Sequence, residues 1–337
     1  MQFLFGRQRQ IPRFRHRHKI TKMSQFNPAS HAFEALRTSL QSIPEPCYEQ
    51  RITCIRKVRS NLTQTKLPML SLQGQWGCKA GNVITKGAKN MSSKLDGRTA
   101  LVTGGSRGIG AAIAKRLAAD GANVAITYSK GVDAAASVVK EIERAGRKAI
   151  TIQADAAVSS AVKAAVEETI DAFGRLDILV NNAGTAIPKT FEEATLEEMD
   201  RVIDINIRGV FVATQAALKH MKKGGRVIMI GSAVGERVVV PGLVPYSATK
   251  GAVKIFTQAL SREVGNRGIT INNVQPGPID TELNPAAGEW ALPQKAATAL
   301  DRYGRVDEVA ALVAFVAGPE SSYITGANLT VDGGMNA

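Results

Sequence analysis

A glycine-rich turn between an apolar run and a long helical pattern constrains the fold of this chain more than any other feature. Residues 99–102 read Thr-Ala-Leu-Val, residues 103–110 read Thr-Gly-Gly-Ser-Arg-Gly-Ile-Gly, and an Ala-rich stretch with Ile and Leu follows over residues 111–118. This order predicts a strand, a tight turn and a helix. The N-terminus of such a helix presents unpaired N–H groups and a positive dipole end to the turn, which suits an anion such as pyrophosphate.

The spacing of the glycines indicates what the turn needs them for. Gly104, Gly108 and Gly110 allow a tight turn and let a phosphate and a neighbouring strand approach the backbone closely. The spacing is G-x-x-x-G-x-G rather than the commoner G-x-G-x-x-G. A glycine turn that binds no ligand stays open as the alternative at this point.

Short apolar runs and helical patterns alternate along the rest of the chain. The predicted strands are residues 99–102, 124–128, 149–155, 176–182, 226–232, 269–274 and 329–331, and the first predicted helices are 111–118, 133–145 and 161–173. This alternation predicts a single Rossmann-type α/β domain, a doubly wound parallel sheet of about seven strands with helices on both faces. Ligands of such sheets bind beyond the carboxyl ends of the strands.

The positive charge of the chain is concentrated in one region. The formal net charge is +14, but residues 1–90 hold 16 Lys and Arg against 3 Asp and Glu, which leaves +1 for residues 91–337. We therefore predict a basic N-terminal extension, disordered or absent from the mature protein, and one domain over residues 91–337. Because the domain itself is nearly neutral, no nucleic-acid partner is expected for it.

Three interpretations of the extension stay open. Its first 33 residues contain Arg and Lys but no acid, as organellar transit sequences do. A flexible tail that binds nucleic acid or another anionic surface has the same composition. The third, which we favour, is that translation begins at Met91, because Met91-Ser-Ser-Lys-Leu-Asp-Gly leads directly into the first predicted strand.

Cysteine and histidine usage argues against a metal or disulfide site. Cys47, Cys54 and Cys78 lie in the extension at spacings that match no zinc site, and the domain has one histidine, His220. No apolar stretch approaches the roughly 20 residues of a membrane span, and no signal-peptide core follows the basic start. We therefore expect a cytoplasmic protein with no metal and no membrane partner, and organellar targeting by the extension is the less favoured alternative.

Several short motifs follow the glycine turn in a fixed order. They are Asn-Asn-Ala-Gly at 181–184, Asn206, Ser232, Tyr246-x-x-x-Lys250, Pro-Gly at 276–277 and Val-Asp-Gly-Gly at 331–334. With the glycine turn, this set resembles the short-chain dehydrogenase/reductase family over residues 95–337. The resemblance implies hydride transfer with a nicotinamide dinucleotide. It also implies a homotetramer formed through helices at about residues 195–221 and 245–266 and through the C-terminal segment.

Tyr246 and Lys250 form the centre of the predicted chemistry. A phenol has an ordinary pKa near ~10, too high for efficient proton transfer at neutral pH unless its phenolate is stabilised. Lys250 lies one helical turn further along the same face, where its ammonium can lower the pKa of Tyr246. The resemblance implies the same roles, with Tyr246 as general acid in reduction and Lys250 also bonding the nicotinamide ribose.

Two further residues complete the predicted catalytic set. Ser232, at the end of a predicted strand, would hold the substrate carbonyl oxygen as a positioned donor. The resemblance implies that Asn206 supports a water that relays protons from Lys250 to solvent. If the resemblance is set aside, Ser232 could be a cap at the end of a strand, Asn206 a helix residue with a satisfied amide, and Lys250 a solvated charge. These alternatives stay open here.

The residues after the second predicted strand favour NADP(H) over NAD(H). Relatives that prefer NAD place an acid there to bond the ribose 2′-hydroxyl, whereas this chain has Tyr128, Ser129 and Lys130. Arg107 in the glycine turn can bind a 2′-phosphate from the other side, with Ser129 and Lys130 assisting. We therefore predict NADP(H) as the cofactor.

The resemblance implies further cofactor contacts. Asp155 would contact the adenine, although it could equally cap the following helix. Asn182 and Ala183 would border the adenosine ribose, and Ile279 with Thr281 would flank the nicotinamide carboxamide. The full predicted cofactor set is Gly104, Ser106, Arg107, Gly108, Ile109, Gly110, Ser129, Asp155, Asn182, Ala183, Tyr246, Lys250, Ile279 and Thr281.

Within the family, the closest general resemblance is to 3-oxoacyl-[acyl-carrier-protein] reductases, for which residues 261–270 are typical. It implies an NADP-dependent oxidoreductase acting on CH–OH groups, with a small-molecule carbonyl substrate that is free or bound to a carrier protein. Lys222, Lys223 and Arg267 could contact an acidic carrier, or form only a solvated charge cluster. An apolar pocket is expected from the segment 281–303, through its residues Leu283, Pro285, Trp290, Ala291, Leu292 and Ala297.

The run of residues 274–285 departs from the usual fatty-acid reductase pattern. It looks more like a subgroup of the family that includes a cyclic-di-GMP-binding biofilm dispersal mediator. A nucleotide-binding regulator that kept the reductase fold is therefore the second hypothesis. The presence of Tyr246 beside Lys250 favours the enzyme, because a pure binding protein has no need of that pair.

Overall fold

Residues 94–337 are the part of the chain that the computed structural model describes. The interpretations of the extension, including a translation start at Met91, lie outside these residues. Each of the seven strands expected from the apolar runs is present in the described region.

One parallel sheet forms the centre of the described region. Its strands are β1 Thr99–Val102, β2 Asn123–Tyr128, β3 Ala149–Gln153, β4 Ile178–Asn181, β5 Arg226–Ile230, β6 Thr270–Pro276 and β7 Asn328–Val331. They lie in the order β3-β2-β1-β4-β5-β6-β7, and every neighbouring pair is parallel. The direction of strand order reverses between β1 and β4, and ligands of doubly wound sheets bind beyond the carboxyl ends of the strands at that point. The predicted fold class is confirmed.

Helices cover both faces of the sheet. They are α1 Gly108–Ala119, α2 Val132–Arg144, α3 Ser159–Phe173, α4 Leu196–Ile203, α5 Val210–His220, α6 Val244–Val264, α7 Ala291–Ala296 and α8 Val306–Ala317, and a π-helical segment, Asp204–Gly209, joins α4 to α5. No helix in residues 94–337 combines the length and the apolar character needed to cross a lipid bilayer.

The two faces of the sheet form two apolar cores. Ala100 and Val102 of β1 pack in the core with residues of α1, α2 and α8, whereas Leu101 between them packs in the core with α3, α5 and α6. Successive residues of a strand point to opposite faces, so a strand covered on both sides is apolar throughout. This is why the strands were recognisable as continuous apolar runs.

Some predicted boundaries are wrong for local reasons. The helix expected over residues 195–221 is three consecutive segments, because helical periodicity in a sequence does not distinguish a π turn from an α turn. Two predicted strands extend two residues too far. The chain turns after β3, where the Asp155 carboxylate accepts a hydrogen bond from the Ala157 N–H, and after β5, where Ser232 precedes a short 3₁₀ turn.

Candidate active site

The glycine turn between β1 and α1 has a conformation that its residue types require. Gly104 has φ +63° and Gly108 has φ +53°, a region that side chains strongly disfavour. A Cβ at Gly110 would collide with the carbonyl oxygen of Gly104 and with the side-chain amide of Asn182. The glycine spacing therefore serves both the turn itself and its contact with the neighbouring strand.

The first turn of α1 carries no side chain of its own that would compete with an anionic ligand. It contains no acidic residue, and the N-cap residue, Arg107, makes no side-chain capping hydrogen bond. The first N–H groups of a helix have no partner within the helix, and they carry the positive end of its dipole. This end of the turn is therefore suited to a phosphate group.

Asn182 and Ala183 hold the glycine turn against the end of β4. The Asn182 side chain donates to the carbonyl oxygens of Thr103 and Gly104 at 2.9 and 3.0 Å, and the Thr103 hydroxyl accepts from the backbone N–H groups of Asn182 and Ala183, each at 3.0 Å. Both N–H groups of the Asn182 side-chain amide thus donate to acceptors within the protein. The ribose contact predicted for these two residues stays a prediction, and their visible role is to shape the turn.

A cleft of about 1050 Å³ lies beyond the carboxyl ends of the strands. It brings together fifteen of the sixteen predicted site residues. Those lining it are Gly104, Ser106, Arg107, Gly108, Ile109, Gly110, Ser129, Asp155, Asn182, Ala183, Ser232, Tyr246, Lys250, Ile279 and Thr281. Asn206 is the exception, because it is buried behind the cleft wall.

Lys250 is a buried cation rather than a solvated one. Its side chain projects from α6, its Nζ donates to the Ile230 carbonyl oxygen at 2.7 Å, and only 5% of the residue is exposed. Burial lowers the pKa of Lys250 from its ordinary value to about 8. Because Nζ lies 5.5 Å from the centre of the Tyr246 ring, the two predicted catalytic groups are adjacent.

Tyr246 is half-buried, and its pKa moves in the direction opposite to the one expected from its neighbour. Burial raises the pKa of Tyr246, and a side-chain hydrogen bond with Ser232 offsets this only in part. The net direction therefore comes from burial, while the Lys250 ammonium donates to the Ile230 carbonyl, and the lowering of the Tyr246 pKa by Lys250 stays a prediction. A phenol with a raised pKa remains protonated at neutral pH, as a proton donor must.

Ser232 combines the two roles that the sequence left open. Its hydroxyl accepts a hydrogen bond from the Val234 N–H at 3.4 Å, which caps the short 3₁₀ turn Ala233–Gly235 after β5. The same side chain is close enough to Tyr246 to lower its pKa. Ser232 and Tyr246 are therefore neighbours in the lining of the cleft.

Asn206 lies in the π-helical segment and ties two parts of the site together. Its Oδ1 accepts from the Thr185 N–H at 2.9 Å, and its Nδ2 donates to the Thr185 carbonyl at 2.9 Å and to the Thr249 hydroxyl at 3.1 Å. Both N–H groups of the Asn206 side-chain amide therefore have hydrogen-bond partners within the protein. This agrees with the alternative in which Asn206 is a satisfied helix amide. The water-relay role of Asn206 stays a prediction, and it cannot use those N–H donors.

The far end of the cleft, at β2 and β3, carries three cationic side chains and one carboxylate, those of Arg107, Lys130, Arg201 and Asp155. Arg107, Ser129 and Lys130 line it without an acid at the end of β2. Burial raises the pKa of Asp155, but hydrogen bonds from the Ala157 backbone and from Arg201, together with the charge of Lys130, bring it below the ordinary value. The helix-cap alternative for Asp155 is wrong, because the N-cap of α3 is Val158 and the Asp155 carboxylate closes a local turn instead.

The opposite end of the cleft is mostly apolar and is built from loops. Its apolar lining includes Val234, Val240, Pro241, Leu243, Leu283 and Trp290. Four residues that were expected to line this end of the cleft lie outside it, namely Pro285, Ala291, Leu292 and Ala297. Leu292 is 79% exposed, whereas Ala291 is buried. Val234 and residues 240–243 also line the cleft and were not predicted, although the apolar residues 238–241 between Ser232 and Tyr246 are a usable signal.

The comparisons with known proteins agree with this geometry. A sequence profile described as enoyl-(acyl carrier protein) reductase matches residues 104–336. The cyclic-di-GMP-binding biofilm dispersal mediator protein of Escherichia coli (strain K12) is 43% identical over 241 residues, covering 72% of this chain and 98% of the relative. The 3-oxoacyl-[acyl-carrier-protein] reductase of Synechocystis sp. is 42% identical over 244 residues, with the same two coverages. A solved short-chain dehydrogenase from Burkholderia cenocepacia J2315 in complex with NADP has 53% identity and a TM-score of 0.72, covering 72% of this chain and 100% of that one.

The chain belongs to the short-chain dehydrogenase/reductase family. The dinucleotide cofactor that this family implies fits the cleft on structural grounds. The first turn of α1 holds no acidic residue and no side-chain cap, Ser106, Gly108 and Ile109 line the cleft, and the volume suffices for a ligand of that size. The NADP(H) prediction also agrees with the NADP complex of the Burkholderia structure.

The basic residues considered for carrier-protein contact lie away from the cleft of their own chain. Lys222 and Lys223 precede β5 and Arg267 precedes β6, at the amino ends of strands whose carboxyl ends face the cleft. The Arg267 guanidinium donates to the carbonyl oxygens of Leu218 and Met221 at 2.6 and 3.2 Å. Arg267 thus binds the C-terminal end of α5, which favours the structural alternative for this cluster.

Proposed function

We propose that this short-chain dehydrogenase/reductase reduces a carbonyl to an alcohol with NADPH, reversibly in principle. One observation carries the proposal. The Ser232 and Tyr246 side chains, with Lys250 adjacent, line the same cleft as the N-terminus of α1, whose first turn holds no acidic residue. A proton donor and a dinucleotide site therefore share one cavity.

The bound cofactor would supply the hydride that adds to the carbonyl carbon. Ser232 and Tyr246 then hold the carbonyl oxygen, where negative charge develops, and Tyr246 donates its proton to that oxygen. The raised pKa of Tyr246 keeps the phenol protonated before the reaction. As the phenolate forms, the Lys250 ammonium beside it stabilises the negative charge, which is the stage at which the pair is expected to act.

The choice of NADP(H) over NAD(H) rests on three residues. Arg107 lies at the glycine turn, and Ser129 and Lys130 follow β2, all lining the cleft. A 2′-phosphate is stabilised by a guanidinium and an ammonium, whereas an acid after β2 would repel it. The Burkholderia relative, which is solved with NADP, supports the same choice.

The proposed substrate is a 3-oxoacyl thioester or a related apolar ketone. The apolar end of the cleft and the similarity to the Synechocystis 3-oxoacyl-[acyl-carrier-protein] reductase support this class. The test is NADPH oxidation by the full chain with acetoacetyl-N-acetylcysteamine, the same acyl group on a carrier protein, and a panel of ketones and quinones. Highest turnover on the thioesters supports a 3-oxoacyl reductase. Turnover only on ketones or quinones restricts the proposal to general carbonyl reduction, and no turnover on any carbonyl contradicts it.

A second candidate is a cyclic-di-GMP-binding regulator. The 43% identity to the Escherichia coli dispersal mediator favours it, as does the departure of residues 274–285 from the usual fatty-acid reductase pattern. Calorimetric titration of the full chain with cyclic di-GMP, in the presence and absence of NADPH, tests this candidate. Micromolar binding without carbonyl turnover would favour the regulator, whereas turnover without binding would exclude it.

We also propose that residues 91–337 form the catalytic unit of a cytoplasmic homotetramer. The Phe211 and Phe256 rings, on α5 and α6, contact each other at 4.3 Å between centroids, and Ile255 beside them is 60% exposed. This apolar face on the two helices expected at the subunit contact supports the assembly. Light scattering of the purified chain tests it, and a monomer at micromolar concentration would contradict it.

A further inference from the structure

The backbone turn that carries Ser232 is held by two side chains outside the predicted catalytic set. The Ser232 carbonyl oxygen accepts a hydrogen bond from Gln275 Nε2 at 3.3 Å, and the Ala233 carbonyl oxygen accepts one from Asn336 Nδ2 at 3.1 Å. Gln275 belongs to β6, and Asn336 lies in the segment that follows β7. The turn is therefore tied to two elements that are distant from it in the sequence.

Close backbone packing fixes the two ends of this turn. A Cβ at Gly231 would lie 2.4 Å from Asn273 Oδ1, and a Cβ at Gly235 would lie 2.9 Å from the backbone carbonyl carbon of Lys250. The ends of the turn thus rest against β6 and α6. Between these two contacts, the directions of the peptide groups depend on the hydrogen bonds that they make.

The Ser232 hydroxyl depends on one of these peptide groups. It accepts a hydrogen bond from the Val234 N–H at 3.4 Å, a length at which such a bond is weak. The Val234 N–H belongs to the same peptide group as the Ala233 carbonyl, which accepts from Asn336. Because a peptide group is planar, a donor that fixes the direction of its carbonyl also fixes the direction of its N–H.

The segment that carries Asn336 is itself a tightly folded turn. The Asp332 carboxylate accepts from the Gly334 N–H at 3.0 Å and from the Asn336 N–H at 3.1 Å. A Cβ at Gly277 would lie 2.7 Å from the Asp332 Cα, so this turn packs closely on the backbone that follows β6. Met335, beside Asn336, is buried and lines the cleft. The Asn336 amide is therefore presented to the Ser232 turn from a fixed base.

We propose that Asn336 is a positioning residue for Ser232 and that it acts through the peptide group between Ala233 and Val234. The Asn336 amide fixes the Ala233 carbonyl, and the same peptide group then aims its N–H at the Ser232 hydroxyl. A donor that stabilises developing charge is effective only when it is held in place before the reaction. This inference rests on the proposed function, in which Ser232 holds the carbonyl oxygen of the substrate.

The first test is Asn336→Leu, which removes the donor without adding a charge. Its kcat with the carbonyl that the wild-type chain reduces fastest should fall about tenfold, because the Ser232 hydroxyl is no longer held in place. The dissociation constant of NADPH, measured by calorimetry on the full chain, should stay within about twofold of wild type. Asn336→Gln keeps the amide donor and should recover part of kcat. If Asn336→Leu does not fold, Asn336→Ser decides by the same two measurements.

The matched control is Ser321→Ala. The Ser321 hydroxyl also donates to backbone carbonyl oxygens, those of Val316 and Gly318 at 2.7 and 3.0 Å, but it lies outside the cleft lining. This variant should lower the midpoint of thermal denaturation and keep the wild-type kcat. An unchanged kcat in Asn336→Leu, a parallel loss of kcat and NADPH affinity there, or an equal loss of kcat in the control would each overturn the proposal.

A second readout needs no turnover and therefore separates this inference from the proposed function. The thiol introduced by Ser232→Cys is alkylated with iodoacetamide and followed by peptide mass spectrometry, which distinguishes it from the three cysteines of the extension. Adding Asn336→Leu should raise the labelling rate at position 232 at least about threefold, because a loosened turn exposes the thiol more often. Adding Ser321→Ala should leave the rate unchanged.

The two readouts together assign each outcome. Equal labelling rates in the two double variants would overturn the positioning role, even for a chain that reduces carbonyls. A faster rate with Asn336→Leu alone, in a chain whose wild type reduces no carbonyl, would support the positioning of Ser232 and contradict the proposed function.

Discussion

The two ends of the cleft are built in different ways. The cofactor end consists of strand termini and backbone contacts, such as the approach of Gly110 to Gly104 and that of Gly209 to Ala156. The substrate end consists of loops, with Leu283 and Trp290 66% and 47% exposed. A backbone contact requires one residue type, whereas an exposed apolar side chain can be exchanged for another. The cofactor end is therefore constrained by geometry, and the substrate end is free to vary.

A pair of side-chain amides holds part of the substrate end in place. Asn284 and Gln294 donate to each other at 2.8 and 3.2 Å, and the Tyr303 hydroxyl donates to Asn284 at 3.2 Å. These bonds join the two sides of the segment that carries Trp290. Each such hydrogen bond contributes roughly 1 kcal/mol to the stability of the folded protein. The substrate end is therefore held by several weak interactions, whereas the cofactor end is fixed by a few close backbone contacts.

The largest expected effect is that of Tyr246→Phe, at the junction of the two ends. Loss of the proton donor should lower kcat by about a thousandfold while NADPH affinity stays within about threefold of wild type. Tyr303→Phe is the matched control in the substrate end, and its kcat/KM should fall by less than about tenfold. Steady-state kinetics and calorimetry with NADPH measure both. Substantial turnover by Tyr246→Phe would remove this residue from the mechanism.

The buried charge of Lys250 should appear in the pH dependence of stability. Its pKa is about 8 in the folded state against an ordinary 10.5, so the unfolded chain binds this proton more tightly. The contribution of Lys250 to the free energy of unfolding should therefore be greatest above pH 10.5 and be lost as pH falls through about 8. At pH 7, Lys250→Met should be more stable than wild type by up to about 3 kcal/mol.

Urea denaturation at pH 7 and pH 10 measures this difference. The advantage of Lys250→Met should shrink at the higher pH, and other titrating groups cancel between the two proteins. An advantage that is absent at pH 7, or that grows with pH, would contradict the buried-charge description. The same variant should also lack turnover, so stability and activity change in opposite directions.

The steric constraint at the cofactor end is tested by Gly110→Ala. The added methyl group has to displace backbone, so the free energy of unfolding should fall by about 2 kcal/mol or more, and NADPH affinity should fall with it. Gly265→Ala is the control, because its φ of −58° suits any residue and open space surrounds it. That variant should be as stable as wild type or up to about 1 kcal/mol more stable. Equal behaviour of the two in thermal denaturation would contradict the steric difference.

A smaller effect is expected for Arg107→Leu. Loss of one charged donor to the 2′-phosphate should raise KM for NADPH about tenfold and leave KM for NADH nearly unchanged. The control is Arg116→Leu, on the same helix, where the arginine pairs with Asp120 outside the cleft lining. Steady-state kinetics with NADPH and with NADH measure the two KM values for each variant. A parallel rise of both KM values would show that Arg107 does not select the phosphate.

Local patterns were sufficient for the sheet and the glycine turn, whereas most of the other predicted cleft residues came from the family resemblance. The strands are apolar on both faces because both are covered, so β1, β4 and β5 are visible without any knowledge of their partners. The glycine turn was recognisable because its steric demands exclude other residues. Arg201 was missed, because its partner Asp155 is 46 positions away and neither residue has a local signature of the pair.

The sequence by itself determined the fold class, the strands and the position of the glycine turn, since these depend on burial and backbone geometry that restrict residue type locally. Tertiary structure alone decided the direction of the Tyr246 pKa, the burial of Lys250, the use of the Asn206 amide and the pairing of Arg201 with Asp155. Hydrogen bonding and desolvation depend on which distant groups surround a side chain. That environment exists only once the chain has folded.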